Sequence, residues 1–259
     1  MLYIFKQYVR FLIHSTSKHG VHSPFVFDLV SQCFNKKTSK NKMSIWSNYY
    51  TELKNNRTLI KVTDYGAGSR VFKGNTRIVS AILKNVAISK KHAALLIRLV
   101  AYFKSKTILE FGTSLGVGTL SLALGNDKAT ITTLEGCSET LQIAKNHLKK
   151  HTSNTINFKE GEFSSNLPEI LHANKYDLIY FDGNHQKEPT IQYFEECLHT
   201  VHNETVFIFD DIYWSKEMTE AWNYIKNHPK VTLTVDVFDL GFVFFRKEQY
   251  QKEHFKIRL

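Results

Sequence analysis

The sequence predicts an α/β fold: a mostly parallel sheet with helices on both faces, an antiparallel C-terminal hairpin and a mainly helical N-terminal extension. Three observations carry this. From residue 106 onward, short apolar runs of strand length alternate with helix-compatible segments, as in a parallel sheet joined by crossover helices. The last two apolar runs, 231–238 and 241–246, are separated by Asp239-Leu240 alone. That gap is too short for a crossover and demands an antiparallel hairpin. Residues 1–105 show helical periodicity without regular strand alternation.

In the N-terminal part, 2–14, 24–34, 43–55 and 89–103 read as helices, and the polar run 35–42 as a loop. From residue 106 the order is strand 106–111, helix 117–124, strand 129–134, helix 138–150 and strand 155–159. Strand 176–181, helix 190–201, strand 205–209 and helix 216–227, closed by His228-Pro229, lead to the hairpin. Helix 138–150 places Leu141, Ala144 and Leu148 on one face, with Ser138 as its expected N-cap. Neither an internal repeat nor a low-complexity segment interrupts the pattern. The expected division is a basic, mainly helical extension or lid over 1–105 and a ligand-binding domain over 106–259.

A chain of 259 residues with 42% hydrophobic and 13% aromatic content can bury a core and is not of disordered composition. Cys33, Cys137 and Cys197 stand alone, so neither a disulfide framework nor a cysteine zinc site is expected. The apolar opening 1–13 is interrupted by Lys6 and Arg10 and is too short to span a bilayer. It reads as an amphipathic helix, and a cytoplasmic protein without a transmembrane segment is expected. Charge is unevenly spread. Residues 1–105 hold 18 Lys and Arg against 3 Asp and Glu, whereas residues 106–259 hold 16 against 21. The first part is net +15 and suits an anionic partner such as RNA, a coenzyme A ester or a lipid headgroup, or serves only as a solvated surface.

The chemistry centres on Ile108-Leu109-Glu110-Phe111-Gly112-Thr113-Ser114-Leu115-Gly116-Val117-Gly118, an apolar strand running into a glycine-rich turn and a helix. Such a turn lets backbone approach a nucleotide-like ligand. Glu135 in Leu134-Glu135-Gly136, after the next strand, is spaced to hydrogen-bond a ribose diol. Dinucleotide folds and class I methyltransferases share this device. The glycines at 112, 116 and 118 do not follow the dinucleotide spacing G-x-G-x-x-G, and the closing hairpin points the same way.

Residues 106–246 resemble class I S-adenosylmethionine-dependent methyltransferases with their Rossmann-like sheet, and specifically the catechol and caffeoyl-coenzyme A O-methyltransferases. The likeness lies in Glu110-Phe111-Gly112-Thr113-Ser114-Leu115-Gly116, in Gly161-Glu162-Phe163, and in two strands ending in acids, Tyr176–Asp182 and Phe207–Asp211. It implies S-adenosylmethionine over Glu110, Gly112, Thr113, Ser114 and Gly116, its ribose on Glu135 and Gly136, and its adenine near Glu162 and Phe163. The whole chain also resembles an uncharacterised methyltransferase family of Bacteroidetes-type bacteria, through His19-Gly20-Val21-His22-Ser23-Pro24 and Asp64-Tyr65-Gly66-Ala67-Gly68-Ser69-Arg70.

Asp182, Asp210 and Asp211 follow apolar strands one α/β unit apart. Carboxylates gathered at one rim repel one another unless a proton or cation intervenes, and Mg²⁺ is the expected hard cation. In the resembled group the third ligand is commonly Asn, where this chain has Asp211. His185 stands where that group carries a catalytic lysine, and is the expected general base beside Asp182. Tyr213 and Trp214 are candidates to wall the acceptor or to fill the core. His147 and His151, four apart, read as a solvated helix face; His14, His19 and His22 read as loop packing or part of a lid. The segment 59–70 reads like strand, acid and glycine turn but is a decoy of the cofactor motif, since no strand–helix series continues from it, with Arg70 and Lys73 available to an anion. The expected activity is metal-assisted O-methylation of a small anionic or hydroxylated acceptor. RNA methylation and a non-catalytic cofactor-binding module stay open, as does a homodimer.

Overall fold

The computed structural model describes residues 2–63 and 74–259. In chain order the first half holds α1 (Leu2–His14), a 3-10 turn (Lys18–Gly20), α2 (Pro24–Leu29), a π-helical turn (Val30–Phe34) and α3 (Lys40–Asn55). β1 (Leu59–Lys61), β2 (Thr76–Ile78), α4 (Val79–Val86) and α5 (Lys90–Phe103) follow. The alternating part runs β3 (Thr107–Phe111), α6 (Val117–Gly125), β4 (Thr130–Glu135), α7 (Ser138–His151), β5 (Thr155–Glu160) and α8 (Phe163–Ala173). It ends with β6 (Leu178–Phe181), α9 (Lys187–Cys197), β7 (Val206–Asp210), α10 (Lys216–Asn227), β8 (Leu233–Asp236), β9 (Leu240–Phe244) and β10 (Glu253–Lys256).

Compactness divides the chain differently from charge. One unit is Lys37–Pro168; the other joins Met1–Lys36 to Glu169–Leu259. In the first unit β3, β4 and β5 pair in parallel, Thr107 opposite Thr130 and Thr130 opposite Thr155. β3 and β4 are buried on both faces, so they do not alternate apolar and polar, and β4 buries two threonines beside Ile131 and Leu134. β1 lies in the segment 59–70 that reads as strand, acid and glycine turn, and it pairs antiparallel with β2, Leu59 opposite Ile78. β2 escapes sequence reading because three residues leave no periodicity to detect. The N-cap of α7 falls one residue before the expected one: Cys137 is the N-cap and Ser138 the first helical residue, with no side-chain capping bond. Helix α5 does carry its cap, the Ser89 hydroxyl accepting from the His92 amide at 3.2 Å.

In the second unit the strand order is β10-β8-β9-β7-β6. β6 and β7 are parallel, while β9 runs antiparallel to both β7 and β8, which is the expected hairpin. Gly241 in β9 leaves room for the buried Trp222 of α10; a Cβ there would stand 2.7 Å from the indole. Phe181 stacks on Phe209 at 4.3 Å, and Phe194 and Phe207 meet the pair edge-on. β10 extends this sheet in parallel on β8; its charged sequence, Glu-His-Phe-Lys, carries no strand signature. Helix α9 starts three residues before its expected bound and ends at Cys197, since the segment that follows turns at Leu198.

Candidate active site

The glycine turn occupies the carboxyl ends of β3 and β4. The Gly112 and Thr113 amides both donate to the Leu134 carbonyl, at 2.9 and 3.0 Å, which pins the turn to the neighbouring strand. Ser114 is then left-handed (φ 46°), a conformation most side chains avoid, and its amide donates to Glu135 Oε2 at 2.7 Å. Glu135 Oε1 accepts from the Cys137 amide at 2.9 Å. One carboxylate thus ties the exit of β4 to the turn after β3. Burial pushes its pKa up, and the Cys137 and Ser114 amides oppose that shift. Gly161 donates to the Glu135 carbonyl at 2.9 Å and brings the exit of β5 alongside.

Beneath the turn lies a fully buried carboxyl. Glu110 Oε2 accepts from the Thr119 hydroxyl at 2.5 Å and the Thr133 hydroxyl at 2.7 Å, while Oε1 has no partner. Burial raises its pKa to about 7 against the pull of the two threonines, and the Glu135 charge adds to the rise. Thr113 completes the cluster through a 2.5 Å hydroxyl contact with Thr133. The two threonine donors are legible only after the fold: nothing in β4 or α6 marks Thr133 or Thr119 out from the neighbouring threonines and serine. Phe163 meets Phe111 edge-on at 5.7 Å, and the exposed Glu162 uses its carbonyl to accept from Asn166.

Sequence reasoning missed Tyr49. Its buried hydroxyl, carried by α3, donates to the Leu115 carbonyl at 2.6 Å, so the helical layer grips the glycine turn directly. Gly116 is left-handed (φ 78°), and a Cβ there would stand 2.5 Å from that hydroxyl. Nor are His147 and His151 a solvated face. They lie 3.2 and 3.1 Å from Glu52 Oε2 and Oε1 and meet the Tyr49 ring edge-on. The segment with Asp64, Gly66, Gly68, Arg70 and Lys73 lies outside the described residues.

In the other unit, Asp182 and Asp210 converge at the carboxyl ends of β6 and β7. The Tyr180 hydroxyl lies 3.1 Å from Asp182 Oδ2 and 3.2 Å from Asp210 Oδ2. His185 Nε2 lies 3.7 Å from Asp182 Oδ1. Burial lowers the His185 pKa below the ordinary imidazole value, and the Asp210 charge opposes that fall. The loop is locally unusual, with Asn184 (φ 70°) and His185 (φ 43°) both left-handed and Asn184 Oδ1 buried without a partner.

Asp211 is left-handed too (φ 53°), and its amide donates to Asp210 Oδ1 at 3.0 Å. Among the described residues, no group of three or more His, Cys, Asp or Glu side chains is arranged to hold a metal ion. The Tyr180 hydroxyl stands between Asp182 and Asp210, the two aspartates that meet. Tyr213 belongs to the core: its hydroxyl bonds Asp236 and its ring stacks on Phe238 at 5.3 Å. Trp214 is partly exposed.

Residues 109–212 match a family described as a methyltransferase domain. No curated protein matches the chain. Among solved structures, it is similar to the O-methyltransferase from Bacillus cereus in complex with S-adenosylhomocysteine, at TM-score 0.57 and 19% identity over 85% of this chain and 96% of that one. The O-methyltransferase TomG of Streptomyces achromogenes, bound to S-adenosylmethionine and involved in tomaymycin synthesis, gives 0.58 and 15% over 82% and 92%. A candidate caffeoyl-CoA O-methyltransferase of Staphylococcus aureus gives 0.56 and 20% over 64% and 88%. These likenesses establish the fold, an α/β Rossmann-like sheet with antiparallel C-terminal strands behind N-terminal helices. Residues 109–212 thus match a methyltransferase-domain family, and the chain shares its fold with O-methyltransferases solved with S-adenosylmethionine or S-adenosylhomocysteine.

Proposed function

We propose that the chain transfers a methyl group from S-adenosylmethionine to a hydroxyl oxygen of a small molecule. The observation that carries this is Glu135, whose two oxygens take the Ser114 and Cys137 amides and so hold a carboxylate at the lip of the glycine turn. A ribose hydroxyl would donate to this carboxylate. Gly112, Thr113, Ser114 and Gly116 offer close backbone approach, Glu110 is the buried acid below, and Gly136, Glu162 and Phe163 flank the adenine end. The cofactor, when bound, supplies an electrophilic methyl on a sulfonium.

The chain's own part is to position the reactants and to take a proton. His185 receives the acceptor hydroxyl proton; its lowered pKa keeps the imidazole neutral and basic near neutral pH. Asp182 and Asp210 then stabilise the imidazolium. Two solved O-methyltransferases of this fold support oxygen as the acceptor atom, and one of them acts in the synthesis of a small molecule.

Equilibrium binding of S-adenosylmethionine to the full chain tests the assignment. Glu135→Ala is expected to weaken it at least about 10-fold, the loss of a charge-assisted hydrogen bond. Incubation with labelled S-adenosylmethionine and a cell extract should place label in the small-molecule fraction. Undetectable cofactor binding by the unaltered chain, or label confined to RNA, protein or lipid, overturns the proposal.

A further inference from the structure

Helix α1 is amphipathic in an inverted sense. One face packs inward: Phe11 is buried, Tyr8 and Phe11 meet Phe238 at 4.9 and 5.6 Å, and the Tyr3 hydroxyl donates to Thr219 Oγ1 at 2.9 Å. That docking fixes which face looks outward. On the outward face stand Leu2, Phe5, Val9 and Ile13, spaced three or four apart and 83%, 65%, 39% and 72% exposed. Such spacing makes one continuous apolar stripe along the helix. Lys6, Arg10 and His14 follow one another along its edge, all exposed. The helix holds no acidic residue, and the first acid in the chain is Asp28.

From this geometry we infer that α1 is an interfacial anchor that lays its apolar stripe into an anionic phospholipid surface, with Lys6 and Arg10 on the headgroups. An apolar face bordered by cations is the pattern of helices that lie in the plane of a bilayer. Among the described residues no helix is long and apolar enough to cross one, which suits surface attachment. Charge selects the occupant. In an antiparallel two-fold pairing of the same stripe, the cationic edge of one copy would face that of the other, whereas phosphatidylserine neutralises that edge. This inference rests on α1 alone and stands apart from the proposed reaction.

Flotation of the full-length protein with phosphatidylcholine vesicles, with and without phosphatidylserine, tests it. Binding is expected to phosphatidylserine vesicles at low salt and to fall as salt rises. Each cation near such a surface contributes roughly five-fold in partitioning, so Lys6→Glu with Arg10→Glu should cost at least about 20-fold. Phe5→Ser with Val9→Ser and Ile13→Ser should abolish flotation, while the far-ultraviolet circular dichroism stays unchanged because these side chains face outward. No flotation of the unaltered protein at low salt overturns the inference, as does flotation of the apolar variant at the original level. Dimerisation through the stripe or retention of RNA, in place of vesicle binding, also overturns it.

Discussion

Gly116→Ala should be among the most damaging small substitutions in this protein, and its cost is traceable to named atoms. The residue is left-handed (φ 78°), which costs an L side chain about 1–2 kcal/mol. The new Cβ would stand 2.5 Å from the Tyr49 hydroxyl, 3.0 Å from Leu148 Cδ1 and 3.2 Å from Ala144 Cβ. Tyr49 cannot swing aside freely, since its hydroxyl is bonded to Leu115 and its buried ring is flanked by His147 and His151. Overpacking of this kind costs about 1–3 kcal/mol, for a total of about 2–5 kcal/mol. Tyr49→Phe alone strands the Leu115 carbonyl and costs about 1–3 kcal/mol. It also removes the closest clashing atom. The double variant should therefore be more stable than the sum of the two losses predicts, by about 1–2 kcal/mol. Urea denaturation of the four proteins measures this. Strict additivity, or a Gly116→Ala loss below about 0.5 kcal/mol, refutes the view that Tyr49 buttresses the turn.

Two further outcomes follow from titrating groups. Glu110 has its pKa raised from 4.5 to about 7, so its stabilising share is full below the unfolded value and fades as pH rises through about 7. Relative to Glu110→Gln, the unaltered protein should lose about 3 kcal/mol between acid and pH 8; parallel stability curves for the two proteins refute this. For His185, the lowered pKa places the descending limb of the turnover profile on the acid side of the ordinary imidazole value, with a plateau through neutrality. His185→Lys should move that limb alkaline, and His185→Ala should cost about 10²–10⁴-fold in turnover. An acid limb that stays in place in His185→Lys removes His185 as the base.

Much of this protein is legible before folding. The β3-to-α6 turn, the acid at Glu135 and the β8–β9 hairpin are local features: glycine spacing, strand length and a two-residue gap specify them. The strands β6 and β7 announce themselves because burial on both faces demands apolar runs, and β4 by its β-branched threonines and isoleucine. What escaped reading is short or polar. β2 has three residues, and α4 stands without a capping hydroxyl bond.

The sequence alone determines that a carboxylate follows β4, that two strands end in aspartates and that a histidine stands where the resembled enzymes keep lysine. Only the tertiary structure decides how these groups combine. Tyr49, more than sixty positions before the turn it supports, is found by its 2.6 Å bond to Leu115. Asp182 and Asp210 meet on Tyr180, and Asp211 after β7 is left-handed. The physical reason is range. Backbone preferences act over a few residues, whereas which side chains meet at a rim is set by strand register and by contacts between distant segments.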